Sequence, residues 1–302
     1  MALFDSILLN SIMPTYLVVA VGFLLERKLH LDKRTLSRLA IYFLTPALVF
    51  NSMMSTEVSP GQVVRVLLAV FLVTAVMVAA ALLVGRLLRW TERAVDGLVL
   101  SVAFMNAGNL GLSVAMFAFG QAGLELATIY YVGTNLAVNT VGAFFAARGN
   151  GGGRQALGKL LRLPGLYAFA VAIALRVLHL EAPVIVMRPI ELVSRATVPV
   201  MLVMLGVQLS QTRLAGQLGR VSLAVAVRLV GGALVGLAVA PVLGLSGLAR
   251  QVVTMQSATP TAVNSSLMAI EFDADPEFVS SVILVSSLLS SVTLAILLAL
   301  IA

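Results

Sequence analysis

The chain has 302 residues, of which 60% are hydrophobic and only 11% are charged, and its formal net charge is +7. Ordinary soluble domains contain about 25% charged residues, so this composition excludes a water-soluble globular protein. The positive charge does not indicate nucleic-acid binding, because Lys and Arg lie in short segments between apolar runs, without the interleaved aromatic residues of a nucleic-acid face.

The apolar runs predict membrane-spanning helices. In the run 67–83, Thr74 is the only polar residue, and about 20 such residues cross a hydrocarbon core of roughly 30 Å. Reading the runs between helix breakers predicts an all-α integral membrane protein with ten spans. These spans are 6–25, 35–54, 62–85, 94–119, 123–147, 163–180, 184–209, 219–242, 247–270 and 277–301.

A Gly-rich segment divides the chain into two halves. The residues at 149–153 read Gly-Asn-Gly-Gly-Gly, which predicts a flexible linker at 148–162 between a first five-helix repeat, 1–147, and a second, 163–302. An odd number of spans per half gives the halves opposite orientations, which is the inverted-repeat plan of many secondary transporters. A shift of 153 residues supports this plan by aligning Pro46 with Pro199, Gly111 with Asn264, and Phe119 with Phe272.

The distribution of Lys and Arg predicts the orientation. With the N-terminus outside, most basic loop residues fall on the inner side, and the Gly-rich linker is cytoplasmic. The basic residues in loops of the other side are Arg65, Arg176, Arg188 and Arg250. We therefore expect a multi-pass protein of the inner (plasma) membrane with both termini outside.

Predicted spans 4 and 9 contain poor helix sequence near their centres. In span 4, Asn106, Gly108, Asn109 and Gly111 lie within six residues, and both residue types disfavour a helix interior. In span 9, Pro260 removes one backbone donor. Irregular backbone at membrane depth needs protein or a watery cavity around it. Paired interruptions in corresponding helices of two halves therefore predict a binding site at the membrane midplane.

Four segments, in order, resemble the auxin efflux carrier family, which includes bacterial carriers and the plant PIN proteins. The resemblance covers nearly the whole chain. Ser113 departs from the family, which usually has proline there, and so does Thr261, where bacterial members often have a second proline. The matching segments are Leu44-Thr45-Pro46-Ala47-Leu48-Val49-Phe50, Asn106 to Leu112, Pro199 to Gly206, and Pro260-Thr261-Ala262-Val263-Asn264 followed by Glu271 and Asp275-Pro276-Glu277.

The resemblance implies a fold shared with bacterial sodium/proton antiporters and bile-acid symporters. In that fold, the broken helices 4 and 9 cross inside a mobile transport core of helices 3–5 and 8–10. Helices 1, 2, 6 and 7 form a scaffold that often dimerises, and alternating access is elevator-like. The substrates implied are carboxylates such as auxin in plants, or malate and malonate in bacteria.

Amide and hydroxyl side chains at the crossing are the candidate substrate ligands. The resemblance makes Asn106 the crossover asparagine, and its amide is suited to donate to a substrate carboxylate beside a half-helix N-terminus. Span 5 adds two amides at i and i+4, which either line the cavity or bond between helices. The full predicted set is Asn106, Gly108, Asn109, Asn135, Asn139, Thr259, Pro260, Thr261 and Asn264; the alternative role for these amides is to satisfy loose backbone carbonyls.

Two charged residues are candidates for a coupling or charge role. Arg228 lies within span 8, where an arginine is costly to bury. The sequence leaves four roles open for Arg228: to attract an anion, to replace a coupling cation, to pair with a carboxylate, or to extend its charged end to the membrane interface. Glu271 is a candidate through the family resemblance. No Asp or Glu lies mid-span in helices 3–5 or 8–10, which disfavours proton coupling through a buried carboxylate.

The sequence thus predicts a secondary transporter of small organic anions that works in the lipid bilayer, with no cofactor, metal or nucleic acid. The alternatives are a sodium-coupled symporter of the bile-acid class and an anion channel. An intramembrane enzyme is disfavoured, because the spans lack a paired His or Asp cluster and a Gly-x-Ser-x-Gly turn.

Overall fold

The computed structural model describes residues 2–150, 163–212, 214, 218–271 and 273–301. Residues 151–162 of the predicted linker, Arg213 and Phe272 lie outside the described residues. Apart from one β-bridge, regular structure in the described ranges is helical. The helices are α1 (Phe4–Leu29), α2 (Lys33–Ser55), α3 (Pro60–Leu87), α4 (Glu92–Ala103), α5 (107–119), α6 (121–150), α7 (Pro164–Val177), α8 (Val184–Ser210), α9 (Leu218–Val242), α10 (Gly247–Ser257), α11 (Ser265–Glu271) and α12 (Pro276–Ile301).

In the part of the chain that the structure describes, seven helical stretches are long and apolar enough to cross a membrane. This confirms an all-helical integral membrane protein. One of the seven, Ala107–Thr140, joins α5 to most of α6. Predicted spans 4 and 9 are each divided into two helices, α4 with α5 and α10 with α11, and predicted span 6 is the short helix α7. The count of ten spans therefore stays a prediction.

Gly120 separates α5 from α6 without a loop. Its backbone angles, φ 67° and ψ −157°, reverse the chain inside a run that is otherwise helical from Leu112 to Asn150. An L-residue with a side chain rarely adopts this conformation, whereas glycine adopts it freely. Gly120 lies between the predicted last residue of span 4, at 119, and the predicted first residue of span 5, at 123.

Four of the described helices contain a widened π-turn. The turns Leu8–Ile12 in α1 and Ala40–Leu44 in α2 lie just before Pro14 and Pro46. Proline lacks the N–H that would bond the carbonyl four residues earlier, and a wider turn relieves that loss. The turns Ala107–Gly111 in α5 and Val227–Gly231 in α9 contain no proline, and both lie at the candidate site described below.

Two glycines let α1 and α8 pack backbone to backbone. A Cβ atom on Gly22 would overlap the backbone of Val203, and one on Gly206 would overlap the backbone of Val19 and Phe23. The helix α2 packs between α8 and α7. The helix α3 packs on α4, α9 and α10, α9 also packs on α10, and α12 contacts α4 and α11. Further contacts join these two sets of helices, between α8 and the start of α5 and between α1 and α12. The two interrupted pairs, α4 with α5 and α10 with α11, lie among the helices of the second set.

The outer surface is apolar. On α1, for example, Leu9, Leu17 and Leu24 are each more than half exposed, at spacings that place them along one face of the helix. A surface of this kind is unfavourable in water and suits contact with lipid tails. By contrast, several of the completely buried side chains carry polar atoms, and the largest of them is Arg228.

Candidate functional site

The two interrupted helices meet at their breaks. Phe104 to Asn106 separates α4 from α5, and residues 258–264 separate α10 from α11. The breaks pair as a short antiparallel bridge between Met105 and Thr261. The Asn106 N–H donates to the Pro260 carbonyl at 2.8 Å, and the Ala262 N–H donates to the Phe104 carbonyl at 2.9 Å. Each broken backbone thus finds its partners in the other, which satisfies polar groups that no water reaches.

Proline explains where α10 ends. In a continuous helix, residue 260 would donate its N–H to the carbonyl of Gln256, but Pro260 has no N–H. Instead, the Gln256 carbonyl accepts two hydrogen bonds from Thr259, one from its hydroxyl at 2.8 Å and one from its N–H at 3.2 Å. The predicted ligand Thr259 is completely buried. Its hydroxyl therefore satisfies a backbone carbonyl at the end of α10.

Two of the last backbone carbonyls of α4 accept hydrogen bonds from side chains elsewhere in the chain. The Thr261 hydroxyl donates to the Ser101 carbonyl at 2.6 Å, and the Thr261 N–H donates to the Ser286 hydroxyl of α12 at 3.2 Å. The neighbouring Val102 carbonyl accepts a hydrogen bond from Nη1 of Arg228 at 2.6 Å. These carbonyls lost their helical donors where the chain becomes extended, so Thr261 and Arg228 together cap the end of α4.

Arg228 joins the ends of both interrupted helices. Its side chain is completely buried, and its Nη2 donates to the Ser257 carbonyl at the end of α10. A Cβ atom on Gly232, one turn along α9, would overlap both that nitrogen and that carbonyl. Glycine at 232 therefore makes the space in which the guanidinium lies between α4 and α10.

A tyrosine supports the same region from α6. The completely buried Tyr130 hydroxyl lies 3.0 Å from the Ser257 hydroxyl and 2.9 Å from the Met105 sulfur. One side chain thus contacts the end of α10 and the extended break after α4. A buried tyrosine hydroxyl needs such polar partners, so Tyr130 ties α6 to the crossing.

Asn106 lies at the N-terminal end of α5, and its side-chain nitrogen is unused. The residue is only 5% exposed, and its Nδ2 has no hydrogen-bond partner among the described residues. Its carbonyl accepts the Gly111 N–H at 3.0 Å, which closes the π-turn. A buried donor without a partner costs free energy in the folded protein. A ligand that accepts this hydrogen bond would recover that cost.

Two glycines allow side chains of other helices to pack directly against the backbone of the first turn of α5. A Cβ atom on Gly108 would lie 2.7 Å from the ring of Tyr131, and one on Gly111 would overlap the side-chain amide of Gln256. Gln256 Nε2 donates to the Ala107 carbonyl at 3.5 Å, whereas its Oε1 has no partner in the described part of the chain. The turn is thus held between an aromatic ring on α6 and an amide on α10.

Asn109 connects this turn to α8. It is half-buried, and its Nδ2 lies 3.5 Å from Oε1 of Gln208. Its carbonyl accepts the Ser113 hydroxyl at 3.1 Å. Ser113 stands where the resembling family usually has proline, and its hydroxyl bonds within its own helix. Gln208 lies on α8, which packs closely against α1, so the Asn109 contact joins the start of α5 to this pair of helices.

The remaining predicted residues lie around the crossing or use their polar groups within one helix. Asn264 is exposed, and its carbonyl accepts the N–H groups of Leu267 and Met268 at the start of α11. Glu271 is exposed at the end of α11. Asn135 and Asn139, on α6, each donate to the carbonyl four residues earlier, at 3.1 and 2.8 Å. Among the described residues, both amide nitrogens thus donate within their own helix rather than to another helix.

Several polar residues of the crossing were absent from the sequence prediction. They share one signal, since each places a polar side chain inside an apolar predicted span. The residues are Gln208, Gln256, Tyr130, Tyr131, Ser257 and Ser286. Of these residues, Gln256 lies close in sequence to the predicted site, four residues before Pro260.

The site combines two regions of opposite character. At the ends of α4 and α10, carbonyls are capped by Thr261 and the fixed positive charge of Arg228. At the start of α5, N–H groups of the first helical turn and the free Nδ2 of Asn106 offer donors to a ligand. An anionic oxygen group is the ligand that such donors favour.

A family model described as a membrane transport protein matches residues 7–156 and 152–298 of this chain. An uncharacterized transporter of Methanothermobacter thermautotrophicus is 28% identical over 280 residues, covering 92% of this chain and 91% of that protein. An uncharacterized transporter of Methanocaldococcus jannaschii is 24% identical over 271 residues, covering 87% and 88%.

Proposed function

The chain belongs to the membrane transport protein family, the auxin efflux carrier family that its motifs resemble, and from this premise we propose that it is a secondary active transporter of small organic anions. The substrates are carboxylates, either auxin-like or malate- and malonate-like. Family membership supports transport, and the chemistry of the crossing supports the anion.

The observation that carries the proposal is the buried, unpartnered Nδ2 of Asn106 at the start of α5. In a low-dielectric interior, a donor of this kind binds a carboxylate oxygen strongly, and the N-terminal end of a helix adds positive potential. Asn109 and Gly108 lie in the same helical turn, and Pro260 and Thr261 hold the turn in place through the paired breaks. The proposed substrate-binding set also includes Asn135, Asn139, Thr259 and Asn264.

The architecture that we propose has ten spans in a 5+5 inverted repeat, 1–147 and 163–302, with a cytoplasmic linker at 148–162. In this arrangement α1, α2, α7 and α8 form the scaffold, and α3–α6 with α9–α12 form the transport core. The close packing of α1 on α8 and the crossing of the two broken pairs support this division. Transport then proceeds by an elevator motion of the core along the scaffold.

We place the carrier in the inner (plasma) membrane with both termini outside, on the evidence of the basic loop residues. We also propose that it dimerises through the scaffold helices. Surface-accessibility labelling of single cysteines would test the orientation, since the natural chain contains no cysteine.

The first experiment is a thermal-shift screen of mono- and dicarboxylates on the purified protein, followed by uptake of any hit into proteoliposomes. Asn106→Ala should weaken binding on the order of tenfold to a hundredfold, because a hydrogen bond to a charged group contributes about 1.5–3 kcal/mol. Folding should be preserved, since Nδ2 has no hydrogen-bond partner to lose in the part of the chain that the structure describes. The matched control is Asn51→Ala, whose amide bonds Ser194 between α2 and α8.

Equal binding and uptake by Asn106→Ala and the wild-type protein would show that the site lies elsewhere. The uptake assay also separates the alternatives. An absolute requirement for sodium would indicate a symporter of the bile-acid class. Flux that does not saturate with substrate would indicate a channel. Saturable uptake without these features supports the proposed carrier.

A further inference from the structure

Arg228 differs from the other polar groups of the crossing because it carries a full charge into the centre of the protein. Its side chain is completely buried, and two of its nitrogens donate to backbone carbonyls, those of Val102 and Ser257. Among the residues that the structure describes, no carboxylate forms an ion pair with it, and its Nε has no partner. Within the described ranges, the groups that balance the charge are therefore backbone carbonyls.

The two carbonyls belong to the C-terminal turns of α4 and α10. A helix carries partial negative charge at its C-terminal end, on carbonyls that lack intrahelical donors. Here two such ends meet inside the membrane at one point, where water does not screen them. A cation placed between them is stabilised by both, and the forked guanidinium contacts one carbonyl with each terminal nitrogen.

We propose that Arg228 is a built-in counter-cation for the ends of α4 and α10, and that it fills the place where a bound monovalent cation would otherwise be needed. It follows that the crossing requires no sodium ion for its integrity. This inference goes beyond the proposed function, because it concerns ion dependence and holds whatever anion is carried.

The surrounding residues are consistent with a fixed position for this cation. Gly232 leaves room for Nη2 where any larger residue would displace it. Arg228 lies in the π-turn Val227–Gly231, and its side chain extends toward the crossing. Such π-turns occur frequently at functional sites. With both terminal nitrogens held by carbonyls, Arg228 is a positioning residue that sets the electrostatics of the crossing, and Asn106 remains the group that contacts the substrate.

The test is chemical rescue of Arg228→Ala, measured as the melting temperature of the purified full chain at constant ionic strength in choline chloride. The variant should melt below the wild-type protein. Millimolar guanidinium should then restore at least half of the loss in a saturable way. Urea, which has the same planar shape without the charge, should not. Rescue by urea equal to that by guanidinium, or no rescue by guanidinium, would overturn the proposal.

Arg176→Ala is the matched control. Arg176 also donates to two backbone carbonyls, those of Met53 and Val58, at 3.0 and 3.1 Å, but it is only half-buried and lies away from the crossing. Its loss should not create a guanidinium-binding site. Saturable rescue of this variant as well would mean that the effect is general, and would overturn the assignment of a special role to Arg228.

A measurement on the wild-type protein keeps the inference testable even if Arg228→Ala does not fold. The melting temperature should be the same in sodium chloride and in choline chloride at equal concentration. A saturable rise with sodium would show that a metal cation is bound, contrary to the inference. Neither measurement uses a substrate. A negative result would therefore refute the role of Arg228 without bearing on the proposed function.

Discussion

Thr261→Val is the substitution that most directly tests how the crossing is held together. Valine keeps the shape of threonine and removes only the hydroxyl, which donates to the Ser101 carbonyl at 2.6 Å. Thr261 is completely buried, so no water replaces the lost donor. In a continuous helix the Ser101 carbonyl would accept the N–H of Met105, but Met105 lies in the extended break. The substitution therefore leaves a buried acceptor without its hydrogen bond.

The expected cost is about 1–3 kcal/mol, the range for a buried polar group that loses its partner. Thr134→Val is the matched control. Thr134 is also buried, and its hydroxyl donates to the Tyr130 carbonyl at 3.0 Å, but this bond lies within α6. There the carbonyl keeps its main-chain donor, so the cost should be about 0.6 kcal/mol or less, as for an average side-chain hydrogen bond in a membrane protein.

Unfolding by SDS titration in mixed micelles measures both variants against the wild-type protein. Thr261→Val should be the less stable of the two variants, by a free energy of unfolding on the order of 1 kcal/mol. Equal stability of the two variants would refute this prediction, since it would mean that the Ser101 carbonyl does not depend on the crossing.

Two further substitutions test close contacts between helices. Gly111→Ala should displace the Gln256 amide from the start of α5 and lower substrate affinity in a binding assay, and unchanged affinity would exclude a role for that contact. Gly206→Ala should lower the melting temperature, because its Cβ would overlap backbone atoms of Val19, which cannot rotate away, and overpacking costs about 1–3 kcal/mol. Gly61→Ala is its control, because a Cβ there meets nothing within 4 Å, and it should be neutral or slightly stabilising; equal losses would contradict the packing argument.

The outcome for the individual site residues shows where sequence reasoning stops. Asn106, Gly108 and Asn109 fall in one turn beside the bridge, as their local pattern predicts. Asn135 and Asn139 share one helical face, but whether an amide reaches a cavity or its own backbone depends on its rotamer. The structure turns both toward their own helix. For Gln256, the deciding feature is the close approach of Gly111, which lies far away in the chain.

By itself, the sequence determines that this protein lies in a membrane and where its helices are interrupted. Both properties are local: apolar runs of sufficient length favour the bilayer, and Gly, Asn and Pro weaken a helix at the place where they occur. Only the tertiary structure decides what satisfies those interruptions. The donors that cap α4 come from Thr261 and Arg228, more than a hundred residues away in sequence. No local pattern encodes such a pairing, because it arises when two separately broken helices are packed against each other.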